Sequence, residues 1–576
     1  MQPSCSNLTR CRIVSCGLGL LLLAVSAPRV RADAVDDYVQ TRMQREHIPG
    51  LSLAVLRNGK IIKQRGYGYA SLELKVPARP ETVYELASTT KPMMATAVML
   101  LVQDGKLALD DRISKYVENT PDAWKDITVR HLLSHTSGIK DYLSDLQKDF
   151  PHDTGPEQIV KFAMDSPLKF APGSKWAYSN TGFVLLGMIV KKISGVTYDT
   201  MLQERVFRPY GMMQTRRDTP DEMVLTRAVG YLWFGGAFHN GDFLKYMMTN
   251  HGDRGILSTV RDLAKWDAAL SGTDLLTPAS KSAMWTPVVE CNIGSTYKAE
   301  YGLGWFIKSF NGHRQISHPG GAPGTGAILS RYPDDGLTVI LLANCENAFM
   351  QALDLGVARR YIPGLMRKAS VRLNPIQLDS CTGYYNAYGS QLLKVTREKS
   401  SLLLDDGGGV NNDFMPLSDT EFTAEESDRG FTVTRDADGS LARATLRLGK
   451  DDIAVQRIGP LARKLTPQSD PDPTLTKKIE VVLKALSRGD MELQAVPQLS
   501  PGARRDYSHG PATELAGINA ISYIATQQVA AKTIERHGEK VSRVLYYQWP
   551  AGRETRYVFV YLTADGLVAD QDVVNE

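Results

Sequence analysis

Ser88 and Lys91 stand three residues apart in Glu85-Leu86-Ala87-Ser88-Thr89-Thr90-Lys91-Pro92. On a helix, i and i+3 share one face, so the amine comes within reach of the hydroxyl. A neutralised lysine can take the serine's proton and turn a weak nucleophile into one that forms a covalent acyl intermediate. The flanks predict such a helix. Residues 82–87 are strand-like, residues 93–102 are apolar, and Pro92 belongs in a helix's first turn, since deeper inside it would break the ladder. A hydroxyl at that N-terminus sits at the positive end of the helix dipole. Taken alone, two fixed positions in four arise by chance in most long chains, and a surface serine beside a solvated lysine is the default. The weight falls on what accompanies them.

Tyr178 and Asn180 precede an apolar helical run, 183–193, that closes at Gly195. The bland reading is a packed aromatic and an Asn cap; the chemical one is a phenol and an amide presented to a cleft. His318-Pro319-Gly320-Gly321 ends a strand and enters a glycine-rich turn. Beyond that turn, residues 327–332 are strand-like, not the helix whose N-terminus a phosphate loop requires. His131 and His135 share i,i+4 spacing, but Leu132 stands where a zinc protease needs Glu, so a loop-positioning role is expected.

The elements that must position these groups come from a chain of 576 residues, with 43% hydrophobic and 23% charged side chains, the texture of a multi-domain globular protein. The formal charge of +4 resides in Arg10, Arg12, Arg29 and Arg31; residues 1–32 hold no acid, and the remainder balances at 63 basic against 63 acidic groups. No broad nucleic-acid footprint is expected. Residues 1–32 read as a signal peptide: two arginines, an apolar run over 13–27, and Val30-Arg31-Ala32 as the cleavage site. The expectation is an exported protein, periplasmic or secreted, with no membrane contact beyond that segment; an uncleaved anchor is the alternative. Cys291, Cys345 and Cys381 lie outside it, an odd number without C-x-x-C, so neither a disulfide framework nor a metal site nor a cofactor is expected.

In order, 34–46 predicts a helix, and 51–56 and 60–69 a hairpin across Asn58-Gly59. Residues 231–250, rich in glycine and aromatics, read as a lid. Beyond Gly364, short alternating strands separated by Gly/Asp/Asn turns predict an all-β unit. A helix at 475–486 and three strand-like runs (520–529, 540–548, 555–562) then predict an α+β unit. The domain reading is 1–32 signal peptide, 33–370 catalytic, 371–465 all-β, and 474–576 α+β of unassigned role.

With Ser88-x-x-Lys91, Tyr178-x-Asn180 and His318-x-Gly320 in that order, residues 34–365 resemble the serine β-lactamase and penicillin-binding-protein superfamily, in its class C-like branch. The resemblance implies an antiparallel sheet flanked by helices with a helical subdomain, followed by a small lipocalin-like barrel. It implies a serine hydrolase in which Ser88 is acylated, Lys91 and Tyr178 move the proton, and Asn180, His318 and Gly320 meet the substrate. The backbone N–H groups of Ser88 and Gly321 would form the oxyanion hole. A phenol beside two cations is expected to have a lowered pKa. His318 stands where many β-lactamases carry lysine and is expected to be charged over part of the physiological range. The substrate class implied is a D-amino-acid-containing peptide, a small ester or a β-lactam. Two other readings stay open: a receptor that is acylated without turnover, and a binding module acting through the C-terminal units. The oligomeric state is open.

Overall fold

Asn58 and Gly59 adopt φ of 50° and 74°, the left-handed pair that a two-residue hairpin turn needs. They join Gly50–Arg57 to Lys60–Ser71, the first hairpin of a nine-stranded sheet. The computed structural model describes residues 33–574 apart from 146–153, 220, 235, 242–250, 294–296, 347, 366–370, 388–390, 406–410, 425–428, 436–440, 449–450, 463–464, 466, 489–495, 507–514, 516, 529–533 and 552–553. Residues 1–32, expected to be an export signal, lie outside the described residues.

The sheet runs, edge to edge, Val76–Pro77, Lys60–Ser71, Gly50–Arg57, Leu337–Ala343, Thr325–Tyr332, His313–Ala322, Phe306–Phe310, Tyr297–Tyr301 and Val289–Ile293. All neighbours are antiparallel. Gly50–Arg57 and Leu337–Ala343, at its centre, are mostly apolar because both faces are covered. Leu51, Leu53, Val55, Val339 and Leu341 face one core with the helices Ala34–Arg45 and Met350–Ala358. Ala54, Leu56, Ile340 and Leu342 face another, built on Thr90–Gln103, Asn180–Ser194 and Val260–Ser271. The period-2 pleat sorts alternate side chains between these layers.

Eight strands between Gly383 and Gly459 close into an antiparallel barrel, with Tyr384 opposite Gly459. Among the described residues, sixteen buried side chains, Phe414, Phe422 and Phe431 among them, form its core. In the last unit Pro473–Arg488 lays Ile479, Val482, Leu483 and Leu486 inward, against a sheet ordered Ser522–Gln528, Arg543–Ala551, Glu554–Leu562, Val568–Val574. The fourth strand escapes the sequence reading because its acidic residues, Asp570 and Asp572, pair with Arg536. Tyr384 and Ile458 share a buried cluster with Tyr546 and Phe559, so barrel and terminal sheet are packed together. Of the expected lid, Tyr231–Phe234 and Ala237–Asn240 form a hairpin; 242–250 lie outside the described residues.

Candidate active site

Residues Ala87–Thr89 form one turn of 3-10 helix before Thr90–Gln103 continues as α-helix. Ala87 holds φ of 44°, a left-handed value that stores strain next to Ser88. The turn is clamped from two sides. Leu86 N–H donates to the Ile256 carbonyl at 2.8 Å, and Thr89 Oγ1 donates to the His318 carbonyl at 3.1 Å. A Cβ on Gly320 would sit 2.1 Å from the Leu86 carbonyl oxygen. Only glycine lets the His318 strand come this close. That strand pairs with Phe306–Phe310 only as far as Ser317, while 318–322 keep their partners in Thr325–Tyr332. The edge left over lies along the Ser88 turn and ends in the exposed Gly321.

Ser88 is partly exposed; Lys91, one turn on, is 0% exposed. Lys91 Nζ donates to Ser88 Oγ at 3.2 Å, to Asn180 Oδ1 at 2.8 Å and to the Asp253 carbonyl at 2.8 Å. Three acceptors match the three ammonium hydrogens. Burial pushes the Lys91 amine down to about 8; Asp253 and Asp141 pull it back up, and Arg254 lowers it. At pH 7 about one lysine in ten is therefore neutral and able to accept a proton.

The Tyr178 hydroxyl hydrogen-bonds the Ser88 side chain, and Lys91 Nζ lies 4.8 Å from its ring centroid. The expected lowering of the phenol's pKa is overturned. His135, Trp176 and His318 crowd the ring, and loss of water around the hydroxyl pushes it above its ordinary value. Tyr178 is held as the protonated phenol, not a phenolate.

The expected titration of His318 is overturned as well. Burial, then the Lys91 charge, pushes it down to about 3. Nδ1–H donates to the Pro319 carbonyl at 2.7 Å, which leaves Nε2 to accept from the Tyr301 hydroxyl at 3.0 Å. The imidazole is neutral at physiological pH with both nitrogens engaged.

Ser179, not Asn180, caps the following helix, accepting from Gly182 N at 3.2 Å. Asn180 opens the helix, and its amide oxygen turns to Lys91. The chain thus brings Ser88, Lys91, Tyr178, Asn180, His318, Gly320 and Gly321 to one place. Sequence reading missed Asp141, Asp253 and Tyr301, which carry no spacing signal of their own. His131 and His135 do position loops: His131 Nδ1 accepts from Thr128 N at 3.2 Å and His135 Nδ1 from Ser179 N at 3.1 Å.

A serine hydrogen-bonded by a buried lysine of lowered pKa, beside the half-unpaired end of a sheet strand, is an arrangement that suits a serine hydrolase. A family model described as Beta-lactamase matches residues 35–360. The chain is 32% identical over 430 residues to penicillin-binding protein 4* of Bacillus subtilis (strain 168), a match spanning 69% of this chain and 93% of that one. It is 26% identical over 387 residues to protein flp of Staphylococcus aureus (strain MW2), spanning 64% and 72%. Among solved structures, the octameric penicillin-binding protein homologue from Pyrococcus abyssi is similar in fold, with a TM-score of 0.55 and 24% identity over 73% of this chain and 99% of that one. The chain belongs to the serine β-lactamase and penicillin-binding-protein superfamily.

Proposed function

We propose that this protein is an exported hydrolase that forms an acyl-enzyme on Ser88 and turns over small esters or D-amino-acid-containing amides in preference to β-lactams. The observation that carries the reading is the neutral His318, locked between the Pro319 carbonyl and the Tyr301 hydroxyl. A lysine in that place would be a standing cation for a substrate carboxylate; a neutral imidazole offers none. Trp176, Tyr178, Tyr301 and Phe306 form an apolar wall beside it, suited to an uncharged acyl group. The likeness to a relative named for binding penicillin supports a serine that a carbonyl compound can acylate.

In this reading Lys91 and Tyr178 take the Ser88 proton as Ser88 Oγ attacks the carbonyl carbon. The backbone N–H groups of Ser88 and Gly321 hold the oxyanion. Tyr178 returns the proton to the leaving group, and water then releases the acid and frees Ser88.

The test is a panel of p-nitrophenyl esters, D-amino-acid p-nitroanilides and nitrocefin against residues 33–576. The expected order of kcat/KM puts uncharged esters and amides above nitrocefin, with all turnover lost in Ser88→Ala. Nitrocefin as the preferred substrate would refute the specificity; undiminished turnover in Ser88→Ala would refute the function.

A further inference from the structure

Asp141 is 7% exposed and carries its carboxylate into the wall behind Lys91. One oxygen accepts the Asn180 backbone N–H at 2.7 Å and the other accepts Asn180 Nδ2 at 3.3 Å. A carboxylate is acceptor-only, so it can be approached by the NH2 half of the amide and not by the carbonyl half. This choice turns Asn180 Oδ1 toward Lys91 Nζ, 2.8 Å away. The next residue braces the opposite side. Tyr142 N–H donates to Thr181 Oγ1 at 2.9 Å, and its hydroxyl donates to Asp253 Oδ2 at 2.8 Å, while the Asp253 carbonyl accepts from Lys91. Two adjacent residues therefore hold both acceptors of Lys91 other than Ser88.

We infer that Asp141 is a positioning residue for the reaction, fixing the Asn180 amide and setting, through its charge, how readily Lys91 gives up its proton. The inference rests on the acyl-transfer reading above. The groups around the lysine divide cleanly. Asp253 and Asp141 favour the ammonium, and Arg254, itself paired with Glu85, opposes it. His135 and His318 are held neutral by burial. Removing the Asp141 charge leaves the balance tilted toward the neutral amine.

The test is kcat/KM for a p-nitrophenyl ester from about pH 5 to 10 in the wild type, Asp141→Asn, Asp141→Glu and Ser88→Ala, with circular dichroism to establish folding. Asp141→Asn is expected to move the acid limb down by on the order of one pH unit and to lower the plateau, because its own amide no longer dictates how Asn180 is turned. Asp141→Glu keeps the charge, so its limb is expected to stay at the wild-type pH while its plateau falls. A purely structural role would lower the rate and leave the acid limb of Asp141→Asn in place. An unmoved limb in folded Asp141→Asn overturns the assignment. If Asp141→Asn does not fold, Asp141→Ala, equally uncharged, is read the same way: an acid limb moved down supports the assignment and an unmoved limb overturns it. Wild-type turnover that persists in Ser88→Ala would instead bring down the acyl-transfer reading itself.

Discussion

Lys91 Nζ lies 3.2 Å from Ser88 Oγ and is held there by two shorter bonds, to Asn180 Oδ1 and to the Asp253 carbonyl. The lysine is thus fixed by its surroundings, and the serine is the looser third partner. In the proposed reaction neutral Lys91 is the competent form, and burial brings its pKa down to about 8. We expect kcat/KM to rise with pH through about 8 and then level. Lys91→Ala should lose on the order of 100–10,000-fold in kcat. Lys91→Arg should do no better, since a guanidinium does not release its proton. A wild-type pH–rate profile with no inflection between about pH 7 and 9, roughly one unit either side of that value, would count against Lys91 as the base.

Tyr178 remains protonated because the walls around it exclude water. We expect Tyr178→Phe to reduce kcat about 100–1,000-fold with little change in KM, since the hydroxyl meets the reacting serine and not the remote substrate. Steady-state kinetics on a single ester checks this. A fall in kcat/KM carried by KM alone would mean that the phenol only binds.

Gly320 allows the His318 strand to touch the Ser88 turn. Gly320→Ala would place a methyl 2.1 Å from the Leu86 carbonyl oxygen. We expect a loss of about 1–3 kcal/mol in stability as the strand edge moves away. The oxyanion donors should separate at the same time, so the acylation rate should fall further than the melting temperature suggests. Thermal melts paired with single-turnover kinetics measure both. An unchanged acylation rate would show that this contact is dispensable.

His318 also links folding to pH. Its pKa is about 3 when folded against an ordinary 6.5. The unfolded chain therefore binds the proton more readily, and the stability that neutral His318 confers is present above about 6.5 and is lost as pH falls toward 3. We expect the melting midpoint to fall steadily over that window, and His318→Gln, less stable throughout, to show a shallower slope. Equal slopes would assign the acid sensitivity elsewhere.

Much of this architecture is legible in the sequence because local rules state it. Asn58-Gly59 demands a hairpin turn, Gly195 at φ 78° ends the Asn180 helix, and Pro92 places the start of the Ser88 helix within a turn. The spacing of Ser88 and Lys91 foretells their contact because a helical repeat enforces it. Asp141, Asp253 and Tyr301 are invisible by the same logic, since their roles arise from contacts across 17 to 162 residues and from no local period. The pKa directions of Tyr178 and His318 could not be read either. Neighbouring charges can be guessed from a motif, but the loss of water that dominates both depends on how Trp176, Tyr301 and Phe306 close around them.

The most direct test of Ser88 as the nucleophile is intact-protein mass spectrometry after reaction with a fluorophosphonate, followed by peptide mapping. The wild type should gain a single adduct on the peptide containing Ser88, and Ser88→Ala should gain none. An adduct of equal yield in Ser88→Ala, or one mapped to any other residue, would contradict the assignment.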